Sequence, residues 1–214
     1  MRKTSIFTFI VFAALLVLTL PAYADSFVTF SQPSAPYTTM TTNYGGGDGS
    51  GGYITSLGPF SFSVTMYERA VTASWETWNA PPAVESSTPN VLYTNGPSSV
   101  TLTLNGSPSI VGFELEPDFG NDAVSAAFYN GATLIDSVNL DVNWSSGALL
   151  FALADTTPGA SISSVAITDD TSDDFAIAQL RAGSGTVTPE PGTLSLLGLG
   201  MLGLAKLAYR NVKA

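Results

Sequence analysis

From about residue 60 to residue 180 the chain alternates polar and apolar side chains in short runs, each closed by turn residues. That period of two leaves few folds open, because successive side chains of a strand point to opposite faces. Ser61-Phe62-Ser63-Val64-Thr65-Met66 and Val100-Thr101-Leu102-Thr103-Leu104 show it most plainly. Ile110 to Leu115, Ala123 to Tyr129, Thr133 to Val138, Ala148 to Leu153, Ser163 to Thr168 and Phe175 to Leu180 continue it. Asn130-Gly131 between two such runs predicts a type I′ hairpin, whose central residues need positive φ. Roughly ten to twelve strands at this spacing predict an all-β fold, an antiparallel β-sandwich. The alternation puts Leu102 and Leu104, Phe113 and Leu115, and Val165 and Ile167 on inward faces. A solenoid would need a repeat of roughly 20–30 residues, and none is present.

Both ends of the chain read differently. Arg2 and Lys3 precede an apolar stretch from Ile6 to Leu20, and Pro21-Ala22-Tyr23-Ala24 follows. Charge, apolar run and small residues in that order make a secretory signal peptide, with Ala22 and Ala24 at the −3 and −1 positions of cleavage by signal peptidase. At the other end, Thr188-Pro189-Glu190-Pro191-Gly192 leads into an apolar run from Thr193 to Ala205, then Lys206, Arg210 and Lys213. Those 13 apolar-run residues fall short of the roughly 20 a spanning helix needs. Lys206 can snorkel and lengthen the span, and the cationic tail stays on the cytoplasmic side. Gly198-Leu199-Gly200-Met201-Leu202-Gly203 inside this run spells a dinucleotide fingerprint without the strand and βαβ unit it requires.

The Pro189-Glu190-Pro191 triplet, short hydrophobic helix and basic end resemble the PEP-CTERM signal of exported bacterial proteins. That resemblance implies processing by the membrane transpeptidase exosortase. It also implies transient inner-membrane anchoring through the C-terminal helix, then release to the Gram-negative cell surface or the extracellular matrix. The organisation expected is a signal peptide over 1–24, a β-sandwich over 25–182, a linker over 183–188 and a sorting signal over 189–214, with helices in the two end segments.

Removing the end segments changes the charge sharply. The chain has 17 acids, 7 bases and a net charge of −10. The ends hold one acid, Glu190, and five bases, Arg2, Lys3, Lys206, Arg210 and Lys213. The body therefore carries 16 acids against Arg69 and Arg181, a net −14. Such a surface repels phosphate backbones and excludes nucleic acid as a partner. Cysteine and histidine are both absent. A Ser-His-Asp triad, a Cys-His pair and a typical zinc site are thereby removed, and disulfides cannot contribute to the fold.

The body resembles a recurrent exported module found beside this C-terminal signal. The carrying residues are Trp75-Glu76-Thr77-Trp78, Val91 to Gly96, Gly112-Phe113-Glu114-Leu115-Glu116-Pro117, Ala127 to Gly131 and Asp174 to Leu180. The resemblance implies a jelly-roll-like sandwich of unassigned biochemical role. Many relatives end with Phe-Ala-Ile-Asp-Asn, where this chain has Ala178-Gln179.

Candidate chemistry is limited to carboxylates and aromatic rings. Asp169, Asp170, Asp173 and Asp174 lie within six residues, and Glu116, Asp118, Asn121 and Asp122 form a second cluster. Either set suits Ca²⁺, which takes six to eight oxygen ligands, although neither matches an EF-hand spacing. Glu114 and Glu116 share one face of a strand, roughly 6.6 Å apart, and paired carboxylates carry glycoside hydrolysis. Trp75, Trp78, Trp144, Tyr67 and Tyr93 could together stack sugar rings. A strand over Ala70 to Trp78 would put Trp75 and Trp78 on opposite faces, one of them in the core. Trp144, next to Ser145-Ser146-Gly147 in a turn, is the better exposed ring, with Trp78 the other glycan candidate. Gly45 to Gly52 reads as a flexible glycine loop without a phosphate-loop Gly-Lys-Thr/Ser. Asn79 to Asn90, with Pro81, Pro82 and Pro89, reads as a rigid surface excursion.

The function expected is that of a non-enzymatic exported protein with a structural or adhesive role in a surface matrix, in contact with polysaccharide. A calcium-assisted carbohydrate-binding module is the alternative, and a carboxylate glycosidase a second.

Overall fold

A computed structural model describes residues 27–185 except 158, 172 and 173. The signal peptide, the sorting signal and the two end helices expected from sequence lie outside the described residues. Twelve strands and one short helix make up the rest. In chain order they are β1 (Phe27–Thr29), α1 (Ala35–Met40), β2 (Thr41–Asn43), β3 (Tyr53–Leu57), β4 (Phe60–Ala70), β5 (Asn90–Tyr93), β6 (Ser99–Leu104), β7 (Ile110–Pro117), β8 (Asn121–Asn130), β9 (Thr133–Asn143), β10 (Leu149–Asp155), β11 (Ser164–Asp169) and β12 (Phe175–Gly183). Every strand anticipated from alternation lies within one of these apart from one end residue each of two runs, Ala148 and Ser163.

The strands form one antiparallel path, β1-β10-β7-β12-β5-β4-β6-β11-β8-β9, with β2 added to β12 and β3 to β4. The path folds over at β4. Its residues Tyr67 to Ala70 pair with β5, while Phe60 to Phe62 pair with β6. One long strand thus serves both layers, and the sheet closes over its own apolar face. Strand β9 then packs against β10, β7 and β1 of the opposite layer. The result is the antiparallel sandwich that the alternation predicts.

The expected inward residues are all there. Leu102, Leu104, Phe113, Leu115, Val165 and Ile167 join Phe60, Leu92, Phe128, Phe151, Phe175 and Ile177 in one buried cluster. Phe113 and Phe151 stack with rings 5.8 Å apart and nearly parallel. Burying rings of this size contributes about 2–3 kcal/mol each.

Two local expectations are corrected. The β8–β9 hairpin forms, but Asn130 pairs with Thr133, so Gly131 and Ala132 are the central residues. Gly131 alone has positive φ, at 59°, which fits a turn with glycine first rather than the type I′ turn expected on Asn130-Gly131. Second, β4 ends at Ala70, and residues 71–78 are not a strand. Thr72 turns the chain there with φ 69°, and Val71 bridges to Trp75. Strand β12 runs through Gly183, the first residue of the expected linker.

Candidate functional site

The outer face of the β10–β7–β12–β5–β4–β3 layer carries the side chains that the core does not use. Register places Tyr53 opposite Tyr67, Tyr67 opposite Tyr93, Tyr93 opposite Ala176, and Ala176 opposite Glu116. These five residues form a single row across five strands. With strands spaced 4.7–4.9 Å, the row is roughly 19 Å long. Its two halves have opposite fates.

One half is covered. Residues 71–89 leave β4 and cross back over β12 and β7 before β5 begins, as a strap. Ala148, Ala176 and Ala178 provide a low floor on which Trp75, Trp78 and Val84 are buried. Two carboxylates projecting from β7 hold the strap from below. Glu114 accepts from Trp78 Nε1 at 3.0 Å and from the backbone N–H of Glu85 at 2.6 Å. Glu116 accepts from Trp75 Nε1 at 3.2 Å and from the Thr77 hydroxyl. Thr77 also reaches the Trp144 carbonyl, at 2.8 Å. Glu114 is 0% and Glu116 1% exposed. Burial pushes both up to about 7, against the opposing pull of their indole, hydroxyl and amide donors.

A bulge completes the clamp. Between Ala178 and Arg181 the β12–β7 register shifts, because Ala178 pairs with Glu114 but Arg181 with Gly112. Gln179 takes φ 51° there. The extra residue reverses the alternation, so Leu180 and Ala182 enter the core while Arg181 turns outward. Arg181 meets Glu85 of the strap through Nε and, at 2.8 Å, through Nη2. Its Nη1 donates to Thr41 O at 3.2 Å and Thr41 Oγ1 at 3.1 Å. Gly112 opposite is a necessity of packing: a Cβ there would lie 2.3 Å from the hydroxyl of buried Tyr37.

The other half is open. Tyr53 is 63% exposed, and its ring sits 4.8 Å from that of Tyr67. Arg69, half-buried on the same face, holds its guanidinium 4.3 Å above the Tyr93 ring and 5.4 Å from Tyr67. Tyr93 donates its hydroxyl to Asp174, and burial raises its pKa. Gly45 to Gly52 borders this platform, and it is knitted down rather than loose. Glu68 Oε1 accepts from Asp48 N at 2.9 Å, Asn90 Nδ2 donates to Gly47 O at 3.1 Å, and Asp48 Oδ1 accepts from Ser50 N at 2.8 Å. That Ser50 bond holds the exposed Asp48 carboxyl below its ordinary value.

The structure redistributes the sequence candidates. Trp78 is 8% exposed and Trp75 5%; both lie beneath the strap on one face, so neither presents a ring to a ligand. Trp78 is removed as a glycan candidate. Trp144 is in its expected turn, half-buried, 6.1 Å from the 62%-exposed Phe119. Glu114 and Glu116 share a face as expected, but both face the strap rather than solvent.

The two acidic clusters lie side by side, yet among the described residues no three carboxylates gather at one point. Asp122 and Asp169 follow the inward parity of Val124 and Ile167 and are 2% exposed each, whereas Glu116 points outward. Asp169 Oδ1 caps the N–H of Thr171 at 2.9 Å, Asp170 Oδ1 accepts from Ala123 N at 3.0 Å, and the Asp118 N–H bonds to the Asp174 carbonyl at 2.8 Å. Among the described residues no group of three or more acids could hold a metal ion, and Asp173 lies outside them. Tyr53 was missed from sequence, because a single tyrosine after a glycine run has no pattern to mark it. Only its register against Tyr67 does so.

These observations define an antiparallel β-sandwich with one clamped and one open outer surface. Residues 187–210 match the family described as the PEP-CTERM protein-sorting motif. The protein is thus an exosortase substrate, exported and sorted to the cell envelope. No curated protein sequence matches the chain. Among solved structures, a family 29 carbohydrate-binding module from Piromyces equi is similar at TM-score 0.36 and 9% identity, over 68% of this chain and 91% of that one. The enzymatically active domain of bacteriophage CBA120 tailspike protein 4 is similar at TM-score 0.35 and 15% identity, over 65% of this chain but only 21% of its own. A family 11 carbohydrate-binding module from Clostridium thermocellum follows at TM-score 0.30 and 8% identity, over 75% of this chain and 99% of that one. Among the described residues no helix is long and apolar enough to cross a membrane.

Proposed function

We propose that the protein is a non-enzymatic component of the cell-surface matrix that holds polysaccharide against its open aromatic face. The observation that carries this reading is the exposed Tyr53 ring stacked on half-buried Tyr67 beside Arg69. Flat rings with polar tips suit the alternating apolar and hydroxylated faces of a sugar chain. Sorting to the envelope brings that face to where polysaccharide is. The carboxylate pair that would serve a glycosidase is occupied instead in holding Trp75, Trp78 and Thr77, beneath a strap that leaves no room for a sugar.

Affinity electrophoresis of the full chain in gels containing neutral and acidic polysaccharides tests this. Retardation by at least one of them, lost on Tyr53→Ala or Tyr67→Ala, is expected. Retardation unchanged in both variants would refute it, and so would turnover of aryl glycosides by the native chain.

A further inference from the structure

Charge and geometry at the same face narrow the ligand further, and this step rests on the reading of that face as a polysaccharide surface. The body between the two targeting segments holds two cations. Arg181 is committed to Glu85 and buried beneath the strap. Arg69 is the other. Among the described residues no carboxylate lies within ion-pairing distance of it, and its one protein hydrogen bond runs from Nη1 to the Ser74 carbonyl at 3.3 Å. A guanidinium has five N–H donors, and the Ser74 carbonyl takes one of those of Arg69. The Tyr93 ring under it, 4.3 Å away, holds the fork in place at little entropic cost.

Such an arginine on an aromatic floor could address a carboxylated sugar or the hydroxyls of an uncharged one, and the surroundings choose between them. Asp174 is bonded to the Tyr93 hydroxyl that Arg69 overlies. Asp48 is exposed on the glycine loop, whose Gly51 lies so close that a Cβ there would be 3.2 Å from the Tyr67 hydroxyl. Asp174 thus lies beside the fork, in a body that carries a net −14. A polyuronate would meet net repulsion along its length, whereas hydroxyls can donate to the acids and accept from the fork. We propose that the Tyr53–Tyr67 platform selects neutral polysaccharide over anionic, with Arg69 donating to vicinal sugar hydroxyls and Asp48 supplying a rim that rejects negative charge.

The test compares a neutral β-glucan with polygalacturonate, titrated into the full chain in a non-ionic detergent, for the native sequence, Tyr53→Ala, Arg69→Gln and Arg69→Lys. Melting temperature serves as the check on folding. The expected result is binding of the β-glucan alone, nearly unchanged between roughly 0.05 and 0.5 M NaCl. Arg69→Gln should weaken it by about tenfold. Arg69→Lys should weaken it comparably, since lysine keeps the charge and loses the fork. Preference for polygalacturonate, falling with salt and retained in Arg69→Lys, would overturn the selectivity while leaving the platform standing. Binding that survives Tyr53→Ala, or no binding of either polymer, would overturn the platform itself and this inference with it.

Discussion

The two halves of the outer face start from the same ingredients and end as different surfaces. Each places aromatic rings on a row of small or polar strand residues, and each has one arginine. In the covered half, Trp75 and Trp78 turn their N–H groups down onto Glu116 and Glu114, and Arg181 ties the strap through Glu85. Every polar tip there is directed into the protein. In the bare half, Tyr53 and Tyr67 stack on each other with Tyr53 63% exposed, while Arg69 overlies Tyr93 and meets the strap only at its near end, through the Ser74 carbonyl and the Trp75 ring. The contrast separates aromatic rings that hold a fold together from rings available to a partner. Residue type does not make that distinction, since tryptophan is the commoner binding residue and here it is the buried one. The direction of the hydrogen-bonding group makes it.

The contrast can be broken most severely on the covered side. Trp78→Ala removes a buried ring and leaves Glu114 short of a donor beneath the strap. A loss of about 3–5 kcal/mol is expected, read as a fall in denaturation midpoint together with new protease cleavage between residues 79 and 89.

The second expectation concerns pH. Glu114 and Glu116 rise from an ordinary 4.5 to about 7 in the folded protein. Between those values the folded state holds more protons than the unfolded one, so stability falls as pH rises through that window and is greatest on its acid side. The two groups together account for a loss on the order of 5 kcal/mol between pH 4.5 and 7. Glu114→Gln with Glu116→Gln should flatten the slope of stability against pH relative to the native chain. Equal slopes in thermal melts at matched ionic strength would show that the carboxyls are not the source.

The mildest change is on the bare side. Tyr53→Ala should alter stability by less than about 0.5 kcal/mol, because the ring is 63% exposed, while still abolishing retardation by polysaccharide. A large destabilisation would move Tyr53 to the structural side of the comparison.

Sequence made the sandwich legible because its cause is local: a period of two is written residue by residue, and Leu102, Phe113 and Val165 went where it sends them. The outer face was not legible because its causes are long-range. Trp78 is 36 residues from Glu114 and Trp75 is 41 from Glu116. No spacing rule links them, so a tryptophan that reads as a ligand platform is a rivet from below. Arg181 shows the same limit in one residue. Strict alternation from Ile177 would send it inward, and only the unpaired residue at the bulge turns it to Glu85. The C-terminal sorting motif was legible for the opposite reason, since a sorting address is read as a linear string and needs no fold.

Strand β12 is flanked by β7 on one side and by β5 and β2 on the other, and the chain leaves it at Gly183 toward the sorting motif. Any force applied to the chain beyond Gly183 therefore enters the fold through a strand in the interior of the sheet. Loaded along its length, such a strand must shear its ladders together, whereas a peripheral strand would peel away one hydrogen bond at a time. Arg181, two residues from that exit, bolts the same strand to the strap. A protein built this way transmits traction into its whole core instead of fraying at the point of attachment.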